Sequence, residues 1–189
     1  MRKYFCLAVA LLIFSISDAQ SQEKPVTQAV FLELGGAGLA YTFNYDFRFD
    51  QENINSWGMR VGAGGFSLNG KTLLTAPIQV NRLLGSKKHF FEIGAGTTFI
   101  NFRNRVTHTN YYQNPQTNGS YYISEEYTRK NYSWILDSGD TPAFMGTLNF
   151  GYRKVPEDGG FLFSANLVPA FNHEGFWPLW AGVGFGYAF

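Results

Sequence analysis

The last eleven residues, Leu179-Trp180-Ala181-Gly182-Val183-Gly184-Phe185-Gly186-Tyr187-Ala188-Phe189, split by parity into two sets with nothing in common. Odd positions carry Leu, Ala, Val, Phe, Tyr and Phe, whereas even positions carry Trp, Gly, Gly, Gly and Ala. Successive side chains of a β-strand point to opposite faces, so this segment has one large apolar face and one nearly bare face. A soluble strand usually sets polar side chains opposite its apolar face. A bare second face suits a wall that looks into a narrow interior, and the segment reads as one strand of a closed transmembrane β-barrel.

Upstream, the same two-faced pattern recurs. Val30, Leu32 and Leu34 alternate with Phe31, Glu33 and Gly35, and the run from Tyr41 to Phe49 sets Tyr and Phe against Thr42, Asn44, Asp46 and Arg48. Trp57, Met59, Val61 and Ala63 oppose Gly58, Arg60, Gly62 and Gly64. Leu74, Ala76, Ile78 and Val80 oppose Thr75, Pro77, Gln79 and Asn81, with Pro77 a blemish because proline cannot donate to a ladder. Further strands follow around Phe91–Phe99, Phe144–Tyr152 and Phe161–Leu167. With Gly36-Ala37-Gly38 taken as a tight hairpin turn, the count is eight, an even number and the smallest ordinary size for a bacterial barrel. The expected fold is therefore an all-β, eight-stranded antiparallel up-and-down transmembrane barrel over residues 28–189.

The turns near 50–55, 84–88 and 154–159 then fall at the periplasmic end, and a loop at Ser67–Thr72 falls outside. The long polar insert, residues 103–140, reads as an extracellular hairpin with its tip at Asn114–Gly119. Long external loops and short periplasmic turns are the asymmetry such barrels show.

Arg2 and Lys3, the apolar run Tyr4–Ile16 and the small residues around Ala19 form the pattern of an export signal, expected to be cleaved after residue 19. The apolar run, roughly thirteen residues, is too short for a spanning helix. Residues 20–27 read as a short disordered lead. Loss of Arg2, Lys3 and Asp18 leaves 13 of the 15 basic and 13 of the 14 acidic residues, a balance that points away from nucleic acid. The single cysteine, Cys6, leaves with the signal, so disulfides, thiolate metal sites and cysteine nucleophiles are excluded from the mature chain.

All the charges within the strands, save Arg82 at a periplasmic end, share the inward parity: Glu33, Asp46, Arg48, Arg60, Glu92 and Arg153. A buried isolated charge is costly, so these residues are expected to form an interior ion-pair network, with Asp46 near Arg60. Eight strands leave an interior that side chains can fill, which favours packing over a wide pore or an ion relay. Outside, Tyr111, Tyr112, Tyr121, Tyr122, Tyr127, Tyr132 and Trp134, with Arg103, Arg105, Arg129 and Lys130, form the candidate binding surface for glycans or lipopolysaccharide phosphates. The same residues also suit an aromatic girdle and a solvated hairpin.

The stretch Gly35-Gly36-Ala37-Gly38-Leu39-Ala40-Tyr41-Thr42-Phe43-Asn44-Tyr45-Asp46-Phe47-Arg48-Phe49, with Gly151-Tyr152-Arg153, Gly159-Gly160 and the closing Gly184-Phe185-Gly186-Tyr187-Ala188-Phe189, resembles small outer-membrane barrel proteins of Bacteroidota-type bacteria. The resemblance implies location and architecture, and it transfers no catalytic residue. The ending also resembles the carboxy-terminal recognition signal of outer-membrane proteins, with Gly184, Tyr187 and Phe189 in place and Gly182 where a polar residue is preferred. It implies that the barrel-assembly machinery reads the last strand.

The three histidines, His89, His108 and His173, lack a second ligand at metal-binding spacing, and no cofactor is expected. The glycine-rich Gly62–Gly65 and Gly94–Gly96 are followed by no lysine or helix start of the kind a phosphate loop needs. The functional expectation is a non-enzymatic integral outer-membrane barrel with a packed interior and a structural or surface-interaction role, its partner the outer-membrane bilayer. The alternatives are an outer-membrane lipid-modifying hydrolase using Ser164 with His173 and Glu174, a narrow small-solute channel, and a soluble lipocalin-like carrier. The last would need an apolar inside and a polar outside, opposite to the observed parity.

Overall fold

The structure, a computed structural model, describes residues 25–113 and 120–189. Its strands in chain order are β1 (Gln28–Gly35), β2 (Tyr41–Arg48), β3 (Trp57–Leu68), β4 (Lys71–Ser86), β5 (His89–Gln113) and β6 (Ser120–Arg129), followed by the short β7 (Asn131–Tyr132) and β8 (Gly139–Asp140). They continue with β9 (Ala143–Lys154), β10 (Gly160–Leu167), the short β11 (Ala170–Phe171) and β12 (Phe176–Trp177), and β13 (Ala181–Ala188). The expected cleavage site after residue 19 and the hairpin tip at 114–119 lie outside the described residues.

Eight of these strands close a ring in the order β1-β2-β3-β4-β5-β9-β10-β13, every neighbouring pair antiparallel, with β13 returning to β1. Leu32 stands opposite Phe185 at the seam, and Gln28 and Phe189 exchange both backbone hydrogen bonds at its end, 3.0 and 2.8 Å. Closure satisfies backbone groups that an open sheet would leave at two edges. The ladder between β3 and β4 pairs Val61 with Ile78 and resumes at Gly64 with Thr75. The interruption coincides with Pro77, which has no N–H to give.

The polarity is inverted relative to a water-soluble protein. Phe43, Phe144 and Tyr187 are exposed to 67%, 67% and 57%, and Val30, Leu34, Ile78, Phe91, Phe150, Val183 and Phe185 are exposed with them. Inside, Thr42, Asn81, Glu92, Thr98 and Asn149 are completely buried.

The two ends of the interior are apolar. At the end carrying the chain termini, Val26, Ala29, Phe31, Leu83, Phe90, Val155, Leu162 and Ala188 form one cluster. Val26 and Thr27, at the end of the lead expected to be disordered, are packed against the barrel, and the Thr27 carbonyl accepts from Arg48 N–H at 2.9 Å. At the opposite end, Leu39, Leu73, Ile100, Phe102, Tyr132, Leu136, Met145 and Ala170 form a second cluster, with Trp177 and Trp180 against it.

Three connections differ from their sequence reading. Strands β3 and β4 run on to a two-residue turn at Asn69-Gly70, with φ of 49° and 77°, so the loop expected at Ser67–Thr72 shrinks to the turn Asn-Gly favours. Gly36–Gly38 is a 3₁₀ turn folded into the barrel mouth, and its three residues are buried. The turn is held from three walls: Thr75 Oγ1 donates to Gly38 O at 3.0 Å, Thr98 Oγ1 to Ala37 O at 2.7 Å and Trp180 Nε1 to Gly36 O at 2.7 Å. Finally, the ribbon of β5 and β6 ends at Arg129, and the second part of the insert turns back over the mouth, where Asn131 pairs with Asp140 and Tyr132 with Gly139.

Candidate functional site

Between the two apolar clusters lies a charged layer. Period-two alternation aims Glu33 (β1), Asp46 and Arg48 (β2), Arg60 (β3), Glu92 (β5) and Arg153 (β9) inward, and each is at most 2% exposed. Asp46 stands opposite Arg60 in the β2–β3 ladder. Its Oδ2 receives Arg60 Nε at 3.4 Å, Arg153 Nη1 at 3.1 Å and Asn81 Nδ2 at 2.6 Å, while Oδ1 pairs with Arg48. Glu92 bridges the other way: Oε1 pairs with Arg60 and receives Asn149 Nδ2 at 2.7 Å, and Oε2 lies 2.8 Å from Arg153 Nε. Glu33 reaches Arg60 at 3.7 Å.

Three carboxylates thus meet three guanidiniums, and among the described residues no other charged side chain is buried. Phe31 roofs the layer, its ring centroid 4.8 Å from the Arg60 guanidinium carbon and 5.5 Å from that of Arg153. Alignment in one layer links β2, β3, β4, β5 and β9 through charge-assisted hydrogen bonds, which are stronger than neutral ones, and β1 joins through the Glu33–Arg60 ion pair. Sequence reasoning did not single out Gln79, which accepts from Arg60 Nη1 at 3.2 Å, nor the roles of Asn81, Asn149 and Phe31. Their signal was inward parity on strands already rich in polar groups.

The void nearest this layer, lined by Val26, Asp46, Arg48, Leu83, Arg153 and Leu162 among others, has a volume of about 10 Å³, close to one water. The bare face of β13 is filled too. A Cβ on Gly182 would come within 2.6 Å of Gly36 Cα, and one on Gly184 would meet the Phe31 ring at 3.2 Å. The room beside β13 is thus taken by Ser164, by Phe31 and by the inward turn. Of the residues expected to form a carboxy-terminal signal, Gly184 faces this crowded interior, whereas Tyr187 and Phe189 project outward.

The hydrolase constituents are separated by their positions in the fold. Ser164 is buried opposite Arg153 and Gly184, its hydroxyl without a partner, while His173 and Glu174 pair at 3.0 Å in the exposed loop between β11 and β12.

The outer candidates sit on the β5–β6 ribbon. Tyr111 and Tyr122 face each other across it with centroids 6.4 Å apart and are 80% and 70% exposed. Tyr127 stacks on His108 at 5.3 Å and under Arg129 at 5.4 Å, and Arg105 pairs with Glu126 at 3.0 Å. Arg103 is exposed beside the ribbon base; Tyr112 is exposed, and Tyr121 lies opposite it in the ladder. Trp134 is exposed and packs edge-on against Phe66 at 5.7 Å. Tyr132 departs from the surface role expected for it: it is 0% exposed, packed 5.1 Å from Phe102 in the cap, because the chain turns back over the mouth after Arg129.

The strand pairing and its inverted faces define a closed eight-stranded antiparallel barrel with a charged, filled interior. Neither protein-family models nor curated proteins return a match to the chain. Among solved structures, the N-terminal β-barrel domain of Pseudomonas aeruginosa OprF is similar, with 13% identity, 90% of this chain and 100% of that chain covered, and a TM-score of 0.49.

Proposed function

We propose that the chain is an integral outer-membrane barrel whose filled interior serves stability and whose outer ribbon serves surface contact, without catalysis. The observation that carries this reading is the inversion itself: the apolar belt faces outward while three Arg and three carboxylates are sealed inside. In water that belt would be an exposed apolar surface of a size monomeric proteins rarely tolerate. In a bilayer it is the surface the solvent requires, and closure leaves no unpaired edge in the hydrocarbon.

Aromatic side chains near both ends support the reading. Tyr45, Trp57, Tyr152 and Tyr187 ring the end that carries the termini, with Arg82 laid over Trp57 at 5.9 Å; Phe144 and Phe176 mark the other. With the termini in the periplasm, the ribbon stands outside the cell. Residues 1–19 would then be the export signal, and Gly184, Tyr187 and Phe189 the signal read by the assembly machinery. The Gly35–Phe49 and Gly184–Phe189 stretches support kinship with the small Bacteroidota-type barrels.

The two apolar clusters on either side of the charged layer favour a closed lumen over a solute channel. Fractionation tests the reading. The mature protein should stay with the outer membrane after a carbonate wash and leave it only with detergent; release by the wash would overturn the assignment.

A further inference from the structure

Where the ribbon leaves the barrel, its outward face holds a concavity of about 800 Å³ lined by Arg103, Arg105, Lys130, Thr72, Thr128 and Leu74 among others. The register explains the convergence. Arg103 stands opposite Thr72 of β4, Arg105 opposite Thr128 of β6, and Arg103 lies one step below the last β5–β6 pair, Asn104 with Arg129, on the side of Lys130. Arg103 and Arg105 share the outward parity of Phe99, so the basic groups rise directly above the apolar belt. Its upper members here are Leu74, 49% exposed, and the Phe99–Phe144 pair, with ring centroids 5.4 Å apart.

Charge is unbalanced at this spot. Glu126 pairs with Arg105 at 3.0 Å, but among the described residues no carboxylate lies within ion-pair distance of Arg103 or Lys130.

Resting on the outer-membrane reading above, we infer that this concavity is a seat for a phosphorylated glycolipid of the outer leaflet, its phosphate held by Arg103 and Lys130 and its acyl chains lying on Leu74 and Phe99. The chemistry is complementary at each level. A guanidinium and an ammonium at headgroup height attract a phosphate. The threonine hydroxyls suit sugar oxygens, and the apolar groups below continue the hydrocarbon. A soluble anion would use the cations and have no use for the leucine and phenylalanine beneath them.

The test is retention of lipid by the full mature chain reconstituted in phosphatidylcholine vesicles doped with bisphosphorylated lipid A, with bound lipid A counted by native mass spectrometry after extraction. The wild type should retain lipid A, and the doubly neutral R103Q/K130Q should lose about tenfold in retention. K87Q/K88Q, which removes the same charge at the opposite end, should retain it fully, and lipid A stripped of its phosphates should be retained no better than phosphatidylcholine. Retention by R103Q/K130Q equal to wild type, or equal retention of the dephosphorylated lipid, would overturn the inference while leaving the membrane assignment intact. Failure of the wild type to enter pure phosphatidylcholine vesicles would overturn both.

Discussion

Arg60 stands directly across from Asp46 in the β2–β3 ladder, and its guanidinium reaches past that partner to Glu92 on β5. One side chain therefore ties together strands that are not neighbours in the wall. The layer is balanced because Arg48 and Arg153 supply the remaining positive charge.

Arg60→Glu places a fourth carboxylate where three already meet. Removing one partner from a buried ion pair costs about 3 to 5 kcal/mol. The temperature at which the folded electrophoretic form disappears should fall sharply. Arg60→Met/Glu92→Met, which removes one charge of each sign, should lose markedly less than either single variant. An unchanged melt for Arg60→Glu would remove the layer from any account of stability.

Gly182 tests the inward turn. A side chain there would collide with Gly36, whose Cα is 2.6 Å from the site of a Cβ. Overpacking of this kind costs about 1 to 3 kcal/mol. Gly182→Val should lower the urea midpoint for unfolding and disturb the emission of Trp180, which is hydrogen-bonded to the same Gly36. A midpoint equal to wild type would mean that the turn is not seated against β13.

Trp180→Phe keeps an aromatic side chain, smaller than the indole, and deletes the donor to Gly36 O. Gly36 O still accepts from Leu39 N–H at 3.3 Å, so the loss is that of one hydrogen bond, about 0.5 to 1.5 kcal/mol. The measured change in unfolding free energy should fall in that range, and it should shrink when Gly182→Val is already present, because both act on one contact. Full additivity would contradict a shared mechanism.

The facing of each strand could be read from sequence because strand geometry has a period of two, and charge reveals which face avoids lipid. Asp46 and Arg60 met on paper for that reason, through the turn between them. The inward fold of Gly36–Gly38 was not legible, since nothing local aims a turn inward; its anchors are Thr75, Thr98 and Trp180, far away in the chain. Tyr132 was misplaced for a similar reason. Its neighbours in sequence are polar, and only the return of the chain over the mouth brings it to Phe102. The empty face of β13 was visible, but its occupants were not, because what fills a cleft depends on the register of the seam.

Tyr132 makes the cap sensitive to alkali. Burial pushes its phenol up from 10.0 to about 12. The folded form keeps a proton that the unfolded form gives up above pH 10, so the stabilisation is complete below pH 10 and is lost as pH rises toward 12. Near-ultraviolet circular dichroism should report loosening of the cap over that interval, and Tyr132→Phe should abolish the step. A step that persists in the variant would place its origin elsewhere.

A closed, lipid-facing barrel held by its interior resists dodecyl sulfate until it is heated. Electrophoresis of the outer-membrane fraction in dodecyl sulfate, with and without boiling, tests it most directly. The unboiled protein should run as a compact, faster band that shifts to its full apparent mass on heating. A water-soluble protein with a single mobility that ignores heating would contradict the account.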